Sequence, residues 1–142
     1  MNSVGHGRSA AIPALAIFFG VGSLIAFTSC LALLDPGGSL EPMWRINPRA
    51  REGFARVGSW APMLLGTVST TCAFTAVGLW RQRLWGYRLA VGMLIINLLG
   101  DVLNVLLGTE PRAIVGVPVV LALLIFLGQS RIRSHFRIVH DA

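Results

Sequence analysis

The chain has 142 residues, 54% of them hydrophobic and only 13% charged, and its net charge of +6 rests on arginine with no lysine. Soluble domains carry roughly 25% charged residues, so this chain has too few charges to coat a globular surface with water, and an ordinary soluble domain is excluded. In a soluble protein such an arginine excess would suggest nucleic acid; here the arginines flank long apolar stretches, where cytoplasmic loops and lipid headgroups attract them, so the expected partner is the lipid bilayer and not nucleic acid.

Residues 1–8 are polar and end on Arg8. Ser9 is a candidate helix N-cap, and Pro13 is tolerated in a first turn. From Ala10 to Leu34 there is no charge, and about 20 residues rising ~1.5 Å each already cover a hydrocarbon core of ~30 Å. A first membrane span is expected over 10–34, stopped by the turn residues Asp35-Pro36-Gly37-Gly38. Phe27-Thr28-Ser29-Cys30 looks loosely like a lipoprotein cleavage box. The apolar run continues past Cys30 to Leu34 and exceeds the ~7–15 residues of a signal h-region, so a retained helix is expected.

Small residues recur in this span. Ala16, Gly20 and Ser23 share one face, and Gly22, Ala26 and Cys30 share another, a pattern that lets helix backbones approach closely within a bundle or between subunits.

Residues 35–58 form the longest loop. Asn47-Pro48 reads as an N-cap followed by proline at the first helical position. The stretch after it divides Arg49, Glu52 and Arg56 from Ala50, Phe54 and Val57, as a short amphipathic helix on the extracytoplasmic side would. Met43, Trp44 and Ile46 are expected as apolar anchors before it.

A second span is expected over 60–80, capped by Ser59, with Trp60 and Trp80 as interface anchors because their rings are amphipathic. Residues 81–88 read as a tight turn whose Arg81, Arg83, Trp85, Tyr87 and Arg88 are further anchors. The third span is expected over 89–107, and the fourth over 111–128 after Gly108-Thr109-Glu110-Pro111-Arg112. A basic cytoplasmic tail at 129–142 contains Arg131, Arg133 and Arg137. The resulting expectation is an all-α, single-domain bundle of four transmembrane helices. With four spans, seven arginines lie on the side of the termini and five on the other side, which places both termini in the cytoplasm and the protein in the inner (plasma) membrane.

The third span carries the most informative polar groups. Asn97, Asp101 and Asn104 follow i, i+4, i+7 spacing and share one helix stripe. An intramembrane carboxylate is costly unless it faces the interior, finds a partner or takes up a proton. Counting helical rise puts Asp101 roughly 9 Å from the outer end, level with Thr28 and Thr67, with Thr71 matching Asn97. Pro118 in the fourth span falls near the same level, where its freed carbonyl can accept a bond. Two readings follow: a polar pocket for a proton, an ion or a small polar ligand, and interhelical hydrogen-bonding glue. Arg112 and Arg56 are the candidate ion-pair partners of Asp101.

Other chemistries lack residues. Cys30 and Cys72 differ by roughly 12 Å in depth, too far for a disulfide without large movement. His6, His135 and His140 are terminal, so no intramembrane pair exists to ligate haem. No GxSxG, HExxH, P-loop or dinucleotide glycine pattern occurs, and no catalytic residue, metal or cofactor is expected. The stretch from Gly78 to Gly86, followed by Asn97-Leu98-Leu99-Gly100-Asp101, resembles segments of bacterial membrane proteins, a resemblance that implies no activity. The function expected first is a non-enzymatic accessory or oligomeric structural subunit, associating with itself or with other membrane subunits. A small proton-coupled carrier built on Asp101 is the alternative, and a membrane enzyme acting on a lipid or quinone the third.

Overall fold

A computed structural model describes residues 11–106 and 113–129. Every regular element among them is helical: α1 (Ala11–Leu34), a 3-10 turn (Glu41–Arg45), α2 (Pro48–Val57), α3 (Trp60–Trp80), α4 (Leu84–Leu106) and α5 (Ala113–Gly128). Helices α1, α3 and α4 are long and apolar enough to cross a membrane. Helix α5 is equally apolar, but its 16 residues rise only ~24 Å. Ser9, Arg112 and the basic tail from 130 on lie outside the described residues.

The described residues divide into two compact units, Ala14–Ala76 and, in the other, 11–13 with 77–106 and 113–129. In the first, α1 and α3 run antiparallel and are stitched by polar contacts at two levels. The Ser23 hydroxyl donates to the Ser69 carbonyl at 2.9 Å, and the Ser69 hydroxyl returns a bond to the Ser23 carbonyl at 3.0 Å. Seven residues further along α1 and seven back along α3, the Cys30 thiol donates to the Pro62 carbonyl at 3.2 Å. Ala16, Phe19, Ala26, Ala61, Leu65, Cys72 and Thr75 are buried around this seam.

The loop between them follows its turn chemistry. Helix α1 ends where Gly37 takes φ +87°, a conformation glycine adopts without steric cost. The Asn47 side chain accepts the Ala50 N–H at 3.3 Å and Pro48 opens α2. Arg51 meets Glu41 at 2.5 Å across the loop. Trp44 departs from the expected role of interface anchor: it is buried and stacks edge-on against Phe54, ring centroids 6.1 Å apart, so it holds the 3-10 turn to α2.

In the second unit, α4 begins at Leu84 instead of the expected 89. The turn is only three residues because α3 closes in a Schellman arrangement: the Arg83 N–H bonds the Gly78 carbonyl at 2.8 Å and the Gln82 N–H the Leu79 carbonyl at 2.9 Å. Gln82 sits at φ +54°, the left-handed position this motif demands. The hairpin is tight because Gly78 and Gly86 face each other. A Cβ built on Gly78 would stand 2.6 Å from the Gly86 Cα and 2.7 Å from the Trp85 ring. Helices α4 and α5 pack together, and the Tyr87 hydroxyl donates to the Leu127 carbonyl at 3.0 Å. Leu79, Ala90, Leu94 and Leu127 are the buried centre of this unit.

Large apolar side chains face outward along all three long helices, among them Leu24, Ile25, Phe74, Ile96 and Leu99. So many exposed large apolar side chains suit contact with lipid.

Candidate polar sites in the apolar helices

The polar residues singled out by spacing divide between the two units, with the threonines in one and the α4 residues in the other. The Thr28 hydroxyl donates to the Leu24 carbonyl at 2.9 Å, that of Thr67 to Met63 at 2.8 Å, and that of Thr71 to Thr67 at 2.8 Å. Each bond lies within one helix, so these three hydroxyls have already used their donors. They belong to the Ala14–Ala76 unit, whereas Asn97, Asp101 and Asn104 belong to the other.

On α4 the environment differs. Asp101 is half-buried and its carboxylate lies against Gly116 of α5. A Cβ built on Gly116 would collide with Oδ2 and stand 3.2 Å from Cγ, so the carboxylate occupies the space that a side chain at 116 would take. Two residues further on, Pro118 interrupts the ladder of α5; having no N–H, it leaves the Ile114 carbonyl without its usual helical donor. Gly116 and Pro118 together therefore put a freed backbone acceptor on the turn where Asp101 rests. Among the described residues no hydrogen bond or ion pair reaches the Asp101 carboxylate. Of its expected partners, Arg56 is exposed on α2 and Arg112 lies outside the described residues.

Asn97 and Asn104 are exposed, with Gly100 between them on the same stripe and open space where its Cβ would stand. Ile96, Leu99 and Leu103 flank them and are exposed as well. Asn104 has a polar contact; among the described residues none holds the Asn97 amide.

The small residues of α1 divide too. Ala16 and Ala26 are buried and Ser23 is the serine of the α1–α3 seam. Gly20 and Gly22 have nothing within 4 Å of a built Cβ, and the close backbone approach lies instead at Gly78 and Gly86. Of the interface residues, Trp60, Trp80, Trp85, Arg81, Arg83 and Arg88 are exposed, whereas Tyr87 is half-buried and ties α4 to α5.

Ser69, Gly116 and the Gly78–Gly86 pair were not singled out by sequence reasoning. The glycine pair left a readable trace: the two glycines stand four residues before and four after Gln82, as a hairpin of two helices crossing at their ends requires. Ser69 and Gly116 left none, because their partners are 46 and 15 residues away with no fixed spacing between them.

Comparison with protein-family models, with curated proteins and with solved structures gives no match to this chain.

Proposed function

We propose that this chain is an inner-membrane protein of four spans with both termini in the cytoplasm, and that it serves as a non-enzymatic accessory or oligomeric structural subunit of a membrane assembly. The observation that carries the reading is the exposed Asn97 on α4, one turn from Gly100 and set among exposed Ile96, Leu99 and Leu103. A primary amide facing hydrocarbon is unfavourable, and a second helix that accepts its hydrogen bonds removes the penalty. Gly100 leaves the space a neighbouring backbone needs to come close.

The test is the native mass of the protein extracted under mild conditions, with identification of whatever co-migrates. The parent chain is expected as a homo-oligomer or a complex with other membrane subunits, and Asn97→Leu with Gly100→Leu is expected to release the monomer. A monomeric parent, or an assembly indifferent to both substitutions, rejects the reading.

A second reading is favoured by one observation, the Asp101 carboxylate resting without a described partner on Gly116 beside the break at Pro118. An unpaired intramembrane acid marks a proton or ion path by default. In proteoliposomes with an entrapped pH indicator, this reading requires proton flux in the parent chain and its loss in Asp101→Asn at unchanged native mass. Equal flux in both proteins rejects it.

A further inference from the structure

A cavity of about 550 Å³ opens within the Ala14–Ala76 unit, between α1, the first turns of α3, and the loop that folds over them. Its walls include Gly22 and Ala26 of α1, Leu65 of α3, Trp44 of the 3-10 turn, and Ala50 and Phe54 of α2. The volume lies in the range of specific small-molecule sites, but the walls differ from most such sites in offering almost nothing polar. Thr28, Ser29 and Asn47 also border it; the two hydroxyls donate to carbonyls of their own helix, and the Asn47 side-chain oxygen accepts the Ala50 N–H. The Trp44 Nε1 is a buried donor without a partner, enclosed so that no solvent-sized group touches it. An occupant therefore has to be apolar along most of its buried length.

The loop adds a charge to that preference. Arg45 lies between the lining residues Trp44 and Ile46 and is exposed; Arg49 adjoins the lining residue Ala50 and is exposed as well. The acid nearest in the loop, Glu41, is engaged by Arg51, so it does not neutralise Arg45. A mostly apolar chamber walled by residues on either side of an exposed arginine matches a molecule with a hydrocarbon chain and an anion at one end. The α2 helix, amphipathic with Ala50 and Phe54 toward the chamber, is of the kind that lies at the membrane interface, where such molecules are at hand.

We propose that this chamber is a binding site for an anionic phospholipid, with one acyl chain between α1, α3 and α2 and the phosphate beside Arg45. The site is on different elements from the α4 stripe and does not depend on association.

The test uses the full chain with Trp60, Trp80 and Trp85 changed to phenylalanine, so that Trp44 alone reports. It is reconstituted in phosphatidylcholine vesicles carrying a small fraction of lipid with brominated chains, supplied as phosphatidylglycerol or as phosphatidylcholine. Trp44 emission is expected to be quenched at a roughly fivefold lower fraction of the brominated anionic lipid, the factor one arginine contributes at an anionic surface. Arg45→Gln is expected to abolish that preference, and Ala50→Phe, which puts a ring into the chamber, to weaken it. Equal quenching by both lipids in the parent protein, or a preference that Arg45→Gln leaves unchanged, overturns the proposal. If the triple substitution does not fold, the unmodified chain is extracted from mixed vesicles and its retained lipid identified. Phosphatidylglycerol held by the parent and lost in Arg45→Gln supports the site. Retention of both lipids in bulk proportion, of a neutral isoprenoid, or of no lipid overturns it.

Discussion

Among the described glycines, Gly86 makes the closest approach to opposing backbone, and Gly86→Ala adds one methyl group there. The new Cβ would stand 2.6 Å from the Gly78 Cα, 2.7 Å from the Leu79 nitrogen, and closer still to the Gly78 carbonyl carbon. Carbon atoms in contact prefer ~3.5–4.0 Å, so α3 and α4 must part by about 1 Å at the hairpin. Backbone on the opposing side cannot swing away as a side chain can. The cost is therefore set near the top of the ~1–3 kcal/mol range for overpacking. Alanine in place of glycine returns ~0.5–1 kcal/mol through helix propensity. The net expectation is destabilisation of about 2 kcal/mol, roughly a thirtyfold change in the folding equilibrium. Gly92 is the internal control: it lies on the same helix with nothing within 4 Å of a built Cβ, so Gly92→Ala should gain ~0.5–1 kcal/mol. Reversible unfolding in mixed micelles, titrated with a denaturing detergent and followed by tryptophan emission, measures both. If the two variants lie within about 0.5 kcal/mol of each other, which is the ordinary scatter of a neutral substitution, the close contact is refuted.

Three further substitutions probe single contacts by the same titration. Ser69→Ala removes the bond from the Ser69 hydroxyl to the Ser23 carbonyl and leaves the one from the Ser23 hydroxyl to the Ser69 backbone carbonyl; it should cost ~0.6–1.7 kcal/mol, the span measured for interhelical bonds in membranes, and an unchanged midpoint would show that the Ser69 hydroxyl adds nothing to the α1–α3 seam. Tyr87→Phe keeps the ring and loses the bond to the Leu127 carbonyl, with an expected loss of ~0.5–1.5 kcal/mol, and a variant as stable as the parent would remove the tie between α4 and α5. Asn47→Ala deletes the cap on α2 for about 1 kcal/mol, while Asn47→Asp should retain most of it; amide exchange of Ala50 and Arg51 reads the difference directly, and equal protection in both would dismiss the cap.

The helices themselves were legible because the chain punctuates them plainly. The Asp35-Pro36-Gly37-Gly38 stop coincides with the end of α1 at Leu34, and the second expected span coincides with Trp60–Trp80. The Asn47-Pro48 start of α2 was readable for the same reason, since the cap and the fixed φ of proline are properties of adjacent residues. The start of α4 was misplaced by five residues. Arginine and aromatic residues between 81 and 88 look like a loop, yet only Arg81–Arg83 form the turn, because Gln82 takes the left-handed conformation that a glycine would have advertised.

The polar candidates were legible as residues but not as a site. Periodicity put Asn97, Asp101 and Asn104 on one stripe, and counting rise put three threonines at matching depth. Depth along an axis says nothing of the direction a hydroxyl takes, and each threonine bonds the carbonyl one turn behind it.

What this chain's sequence determines alone is whatever depends on neighbours within a turn or two. The class is helical, with stretches apolar enough to cross a membrane; the stops, caps and charge clusters follow from local chemistry and from the exclusion of charge from hydrocarbon. Tertiary structure decided which partners the side chains have. Ser23 meets Ser69, the Asp101 carboxylate lies on Gly116, and Trp44 turns inward onto Phe54 instead of outward to the interface. Those pairings depend on how two helices are rotated and shifted against each other, a relation among distant residues that no local spacing encodes.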